Sequence, residues 1–289
     1  MAIEIYYFSG TGNSLAVARE IGSQIGGKVI SISSLISKKR ADTSDKIGIV
    51  FPAYMAQLNG VPLIVEDFVK KIQDIRKKSI FAVCTCGGRE DYNALPAVKN
   101  LGKYVKKAGG RLHSEFIVRM PMNNCDYGFI PFPVEKDPET IINTSKTVIN
   151  DICCRIRAGK REKNRSLKTV LNFFMKPLYA MLCGLYIAEI AKYSKVQKAT
   201  RANYRELLHK TDRSITVNEK CDGCGICAIV CPAKNIRIQN KMPVWQGRCE
   251  TCLACMEWCP KKAVQHFWRK PGVYYRHPSV KVKDMIVCL

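Results

Sequence analysis

Acidic residues and histidine are scarce in this sequence. Its 289 residues include 24 Asp and Glu against 47 Lys and Arg, and only four histidines, at 113, 209, 266 and 277. Histidines so dispersed suggest neither a histidine metal site nor a paired acid/base centre. Long apolar runs are also missing. The uncharged stretch from Pro177 to Ala188 is 12 residues long, against the roughly 20 that a membrane-spanning helix needs. The opening residues, Met-Ala-Ile-Glu-Ile-Tyr-Tyr-Phe, lack the basic region and apolar core of a secretory leader. A reducing, cytoplasmic setting is therefore expected, in which 15 cysteines are thiols or metal ligands rather than a disulfide framework.

The acid deficit leaves a formal net charge of +23. Such an excess attracts acidic partners, and the candidates are an acidic redox protein, an anionic membrane surface or nucleic acid. Neither a helix-turn-helix nor an RNA-recognition signature is present, so nucleic-acid binding is not expected.

Eight of the cysteines form one pattern written twice: Cys221, Cys224, Cys227, Cys231-Pro232, then Cys249, Cys252, Cys255, Cys259-Pro260. Both copies read Cys-x2-Cys-x2-Cys-x3-Cys-Pro, with matching cysteines 28 residues apart, as in a duplicated unit. Three sulfurs at this spacing on a tight turn can cap three irons of a cubane, while the fourth iron must be reached from elsewhere. Zinc sites usually use two separated cysteine pairs, and disulfides need an oxidising compartment. The runs resemble those of bacterial dicluster ferredoxins over residues 215 to 268. In that family the fourth cysteine of each run ligates the other cluster. The resemblance thus implies two 4Fe-4S clusters, one held by Cys221, Cys224, Cys227 and Cys259, the other by Cys249, Cys252, Cys255 and Cys231.

The amino terminus offers a second constellation. Ile3 to Phe8 reads as a strand, Leu15 to Ile21 as a helix, and Ser9-Gly10-Thr11-Gly12-Asn13-Ser14 joins them. Backbone N–H groups at the helix start, with the hydroxyls of Ser9, Thr11 and Ser14, can surround a phosphate without a cation. A dinucleotide fingerprint fails because Leu15 occupies its third glycine position. Gly22 to Lys28 fits Gly-x4-Gly-Lys, but Val29 follows and the run lies between helix and strand, the reverse of a P-loop.

Further strands are expected at Lys28–Ser31, Lys46–Phe51, Ser79–Thr85 and Leu112–Arg119, and helices at Pro62–Ile75, Ala94–Ala108 and Pro138–Ile156. This alternation predicts an α/β doubly wound parallel sheet. The hydroxyl loop resembles the FMN phosphate loop of flavodoxins, Ser/Thr-x-Thr-Gly-x-Ser/Thr. That resemblance implies a five-stranded sheet in the order 2-1-3-4-5, with FMN at the carboxyl ends of its strands. It also implies a site built from Ser9, Gly10, Thr11, Gly12, Asn13 and Ser14, from Pro52, Ala53 and Tyr54, and from Thr85, Cys86, Gly87, Gly88 and Tyr92. Tyr54 and Tyr92 are candidates to stack on the flavin, and the Gly87-Gly88 backbone to approach its edge. Cys84 is expected in the core and Cys86 in the loop beside the flavin. The stretches 120–124 and 129–133, rich in proline and aromatics, are candidates to cover the flavin edge or meet the cluster domain.

Between Arg155 and Arg213 stand fifteen basic and four acidic residues. Inside this segment Val170 to Ala191 is apolar almost all round, with Pro177 at a start or kink. A helical arm packed between domains is the expectation. An interfacial helix on anionic lipid, with residues 170–191 flanked by lysines in peripheral membrane contact, and a dimerisation helix are the alternatives. The basic, aromatic run 267–278 is expected to fold back on the first domain.

The domain division expected is 1–158, an FMN-binding flavodoxin-like domain; 159–213, a basic helical linker; 214–268, a small α+β ferredoxin domain with two 4Fe-4S clusters; and 269–289, a basic tail. As a whole the chain resembles the flavodoxin–ferredoxin fusions sometimes called ferrodoxins, of anaerobic bacteria and archaea. The resemblance implies an electron carrier or oxidoreductase relaying electrons between FMN, the clusters and an external redox protein. A flavin-dependent reductase of a quinone or nitroaromatic is the alternative, and a redox-sensing nucleic-acid-binding module a more distant one. No nicotinamide site is evident.

Overall fold

A computed structural model describes residues 2–41, 43–55, 58–88, 90–123, 137–159, 161, 176–267, 269 and 272–286. The expected stretch 129–133, Asn124, the beginning of the apolar segment at 170–175, and Trp268, Lys270 and Pro271 of the tail lie outside the described residues.

Five parallel strands form the first domain: β1 (Ile3–Tyr7), β2 (Gly27–Ser31), β3 (Lys46–Pro52), β4 (Ser79–Cys86) and β5 (Leu112–Arg119). Their order is β2-β1-β3-β4-β5, which makes the fold flavodoxin-like. Burial explains the positions. All of β4 except Ser79 is buried, as a central strand covered on both faces must be, whereas edge strand β5 alternates buried and half-exposed residues. Helices α1 (Asn13–Ile25), α2 (Leu63–Lys71), α3 (Glu90–Lys107) and α4 (Pro138–Arg157) cover the sheet. The buried residues of α1 recur at helical spacing, Leu15, Val17, Ala18 and Ile21, and pack on both faces of the sheet edge.

Two boundaries differ from the sequence expectation. A start at Ala94 would put Pro96 in a first turn, where proline is tolerated. Helix α3 instead begins at Glu90 and carries Pro96 inside it. Helix α2 stops at Lys71 because Ile72 turns extended and Asp74 adopts a left-handed conformation, so Ile75 falls in a separate 3-10 turn.

The intervening segment forms α5 (Lys176–Ser194) and α6 (Tyr204–His209). One face of α5, with Cys183, Ile187 and Ile190, packs on Met55, Leu58 and Leu63 and on Leu207 and Leu208 of α6. Its other face exposes Met181 and Leu185. Helix α6 is held to α2 by Arg205, 2.9 Å from Glu66 and 2.8 Å from Asp67. Among the described residues no helix is long and apolar enough to cross a membrane.

The second domain consists of short elements: β6 (Thr216–Val217) paired with β9 (Val264–Gln265), the hairpin β7 (Ile236–Gln239) and β8 (Met242–Trp245), and two one-turn helices, α7 (Ile226–Ile229) and α8 (Ala254–Glu257). The tail ends in α9 (Val282–Met285). A single apolar core crosses the domain boundary: Cys252, Ala254 and Trp258 of the second domain and Val280 and Met285 of the tail share a cluster with Phe8, Leu15 and Phe51.

Candidate functional site

The duplication seen in the sequence is repeated in the backbone. Gly223 and Gly225, both at positive φ (75° and 76°), have counterparts 28 residues on in Thr251 (51°) and Leu253 (61°); Lys234 (50°) is matched by Lys262 (51°). Each copy therefore wraps its sulfurs with the same left-handed bends, and the second does so without glycine, where a side chain costs about 1 kcal/mol or more. After each Cys-Pro pair a backbone N–H returns to the cysteine sulfur: Asn235 N–H to Cys231 at 3.3 Å and Ala263 N–H to Cys259 at 3.3 Å. Thr251 N–H likewise donates to Cys249 Sγ at 3.2 Å. Such bonds favour a thiolate and tune the metal it binds.

The eight sulfurs surround two cavities. Cys221, Cys224, Cys227 and Cys259 line an outer one, with Ile238 and Pro243 of the hairpin in its wall. Cys231, Cys249, Cys252 and Cys255 line an inner one, with Trp245 and His266 in its wall. All eight are free thiols. Among the described residues no group of three or more His, Cys, Asp or Glu side chains is placed to hold a single metal ion. Burial pushes the Cys249 thiol up to about 12 and raises Cys252 and Cys255 well above the ordinary thiol range. Thiolates in such surroundings need bound iron to become favourable. The two sets overlap in depth: in the outer one Cys224 is exposed, Cys221 and Cys259 are half-buried and Cys227 is buried, while in the inner one Cys231 and Cys252 are buried and Cys249 and Cys255 half-buried.

At the other constellation three strand ends meet. Ser14 and Thr85 share a hydrogen bond between hydroxyls at 2.8 Å, and Ala53 N–H donates to Thr85 O at 2.8 Å. Ser9, Thr11, Asn13 and Ser14 are all buried. Gly12 N–H donates to Ser9 Oγ at 3.1 Å, closing the loop. Helix α1 starts at Gly12 with no side-chain cap and no acidic residue in its first turn. The orphan N–H groups of a 13-residue helix, enclosed by hydroxyls, fit a phosphate. The residues of the loop therefore suit FMN, and Ser9 to Ser14 would hold its phosphate.

Pro52 ends β3, and Ala53 and Tyr54 follow it half-buried. The Tyr54 ring stands edge-on to Phe8, with centroids 6.0 Å apart, and its hydroxyl lies against Gly10. Gly87 is approached closely by Met122 from the loop after β5. Two expectations are corrected. Cys86 is not a loop residue: β4 extends through it, and its side chain, 5% exposed, joins the same core as Cys84. Burial pushes its thiol up to about 12, so it supplies no reactive sulfur. Tyr92 is likewise not in a loop but in the first turn of α3.

The two constellations touch. A Cβ added to Gly10 would lie 2.2 Å from the carbonyl oxygen of Cys252, so only glycine permits this approach of the phosphate loop to an inner-cavity ligand. Trp258, 2% exposed, donates its indole N–H to Gly10 O at 2.8 Å. Neither residue stands out when each motif is read alone. The signal is available in the comparison of the copies, since Trp258 and Leu253 occur where the first copy has Val230 and Gly225. Nearby, Glu257 and Arg269 form a buried ion pair at 3.1 Å. Burial raises the Glu257 carboxyl to about 7 despite the arginine.

Residues 214–260 match the family described as the 4Fe-4S dicluster domain. No curated protein matches the chain. Solved structures overlapping it include a Fusobacterium nucleatum flavodoxin bound to flavin mononucleotide (13% identity, 54% of this chain and 97% of that one, TM-score 0.36). Flavodoxin 1 of Bacillus cereus in its oxidised form is another (17% identity, 52% and 98%, TM-score 0.32). The chain thus joins a flavodoxin-like α/β domain to a 4Fe-4S dicluster, ferredoxin-type domain. This is the organisation of a flavodoxin–ferredoxin fusion, and its iron–sulfur part is an electron-transfer domain.

Proposed function

We propose that this chain is an intramolecular electron relay linking FMN in the first domain, two 4Fe-4S clusters in the second and an external redox protein in oxygen-poor metabolism. The observation that carries the reading is the contact of Gly10 with the carbonyl of Cys252, reinforced by the Trp258 hydrogen bond. It makes a ligand of the inner cysteine set the neighbour of the phosphate loop. FMN, when bound, takes up two electrons and releases them singly, whereas each cluster carries one.

The chain's own residues support an order. Of the inner set Cys252 joins the core shared with the first domain, while Cys231, Cys249 and Cys255 pack in the second domain's own cluster, which suits an internal link made through Cys252. In the other set Cys224 is exposed and Cys221 and Cys259 are half-buried, with Cys227 buried behind them, which suits exchange with a partner through Cys224. Around that set stand exposed Lys220, Lys241 and Lys261, with Met242 and Val244 exposed on the adjoining hairpin. An apolar patch ringed by lysines fits an acidic protein. Helix α5 packs on the loop after β3, and the tail packs on the phosphate loop. The surface-facing lysines beside the outer set favour transfer between proteins over reduction of a quinone or nitroaromatic at the flavin.

Anaerobic purification with flavin and iron quantified tests the reading. About one FMN and about eight irons per chain are expected, from two clusters of four. Loaded clusters without flavin would reduce the first domain to a docking scaffold and the chain to a basic ferredoxin.

A further inference from the structure

Residues 272–286 lie beyond the cysteine runs and belong to neither motif, yet they contact the phosphate loop at several points. His277 N–H donates to Thr11 O at 2.9 Å. The Tyr275 hydroxyl donates to Asn13 Oδ1 at 2.7 Å, and the Asn13 amide donates in turn to Pro121 O at 2.9 Å. Both ends of the Asn13 side chain are thereby fixed. His277 and Val280 lie over Gly12, where a Cβ would come within 3.0 Å of Val280 and 3.1 Å of His277. Farther along, Asp284 pairs with Arg19 on α1 at 2.8 Å. Tyr275, His277 and Val280 are all buried.

We propose that the C-terminal tail is a positioning element of the FMN phosphate site, holding the Thr11–Asn13 backbone in its binding conformation, with Tyr275 as the principal residue. The proposal rests on the reading of that loop as an FMN site. Its physical basis is preorganisation. Backbone N–H groups bind an anion well only when they are already aimed, and a loop that must be ordered on binding forfeits that ordering free energy. Here four segments fix this loop: β4 through Thr85, the loop after β5 through Pro121, Trp258 of the second domain through Gly10 O, and the tail. Burial lowers His277 to about 4, leaving it neutral near pH 7, and Arg276 lies over the Trp258 ring, 5.5 Å from its centroid.

The tail also joins the two domains, because Tyr275 N–H donates to Glu257 Oε2 at 2.9 Å, on the helix between two inner and outer cluster ligands. One side chain thus ties the phosphate loop by its hydroxyl and the dicluster domain by its backbone. Reciprocity of linked equilibria then requires that FMN binding tighten the tail as much as the tail tightens FMN.

The test uses the full-length holoprotein with intact clusters. Tyr275→Phe removes one hydroxyl and little else, and Asp284→Asn loosens the tail away from the loop. For Tyr275→Phe, loss of a buried hydrogen bond predicts an FMN Kd raised roughly 10-fold by fluorescence titration, with iron content unchanged. For Asp284→Asn a smaller rise, about 2- to 5-fold, is expected from a partly exposed ion pair. FMN should also slow tryptic cleavage at Arg276, Lys281 and Lys283 in the wild type, which a merely structural tail would not display. Unchanged Kd in both variants, with cleavage indifferent to FMN, would overturn the proposal while leaving the FMN site intact. A wild-type chain that binds no FMN would instead remove the reading beneath it, and the proposal with that reading.

Discussion

Replacing Cys231 by alanine is expected to strip iron from the inner cavity and leave the outer one filled, so that total iron falls from about eight to about four per chain. Although Cys231 closes the first cysteine run, its sulfur shares a cavity with Cys249, Cys252 and Cys255, and the outer cavity takes Cys259 from the second run. Cys259→Ala should do the reverse. Iron analysis with electron paramagnetic resonance of the reduced protein separates the two. The paired outcome matters, because two variants that each lost iron from the run containing the substitution would refute the crosswise sets. Cys231→Ala should also disconnect the first domain from the surviving cluster, since the missing cluster is the one whose ligand abuts Gly10.

Gly10→Ala is expected to prise the domains apart. Its Cβ would stand 2.2 Å from Cys252 O and 3.1 Å from the carbonyl carbon. These are backbone atoms, so no rotamer change relieves the clash. Overpacking of this kind costs about 1–3 kcal/mol, and displacement of Trp258 from Gly10 O would add about 1–3 kcal/mol for a buried carbonyl left without a donor. A fall of roughly 5–15 °C in thermal midpoint is expected, with both clusters retained. Gly184→Ala provides the control: it lies within α5 with nothing inside 4 Å of its added Cβ, so it should be neutral or stabilising by about 0.5–1 kcal/mol. Equal stability of the two variants would remove the Gly10–Cys252 contact as the seam between domains.

Local features were legible in the sequence where one physical requirement dominates. Apolar runs of strand length located all five strands of the sheet to within a residue or so, and the edge strand Leu112–Arg119 was bounded correctly, because burial writes itself directly into composition. Paired cysteine runs announce a cluster domain because few other chemistries use that spacing. The extent of β4 was harder. Cys86 reads as the start of a glycine loop, yet Met120 N–H donates to its carbonyl and pairing with Arg119 carries the strand through it. Tyr92 was misplaced for a related reason, since Pro96 mimics a helix start.

What the sequence did not disclose is how the domains meet. Gly10 looks like an ordinary member of a phosphate loop and Trp258 like a spacer between ligands. Their roles depend on a contact between residues 248 positions apart. Even here a trace existed, because the duplicated copies diverge at a position packed into the core shared with the first domain: Val230 is answered by Trp258. A repeat whose copies would otherwise need the same residues departs from itself where a neighbour must be packed.

The central proposal is that electrons move within one molecule between the surface cluster, the inner one and the flavin domain. Flash reduction of the anaerobic holoprotein, followed by flavin absorbance across a range of protein concentrations, tests it most directly. Flavin reduction at a first-order rate independent of concentration, and lost in Cys231→Ala, is the expected result. A rate proportional to protein concentration, or unaffected by loss of the inner cluster, would contradict it.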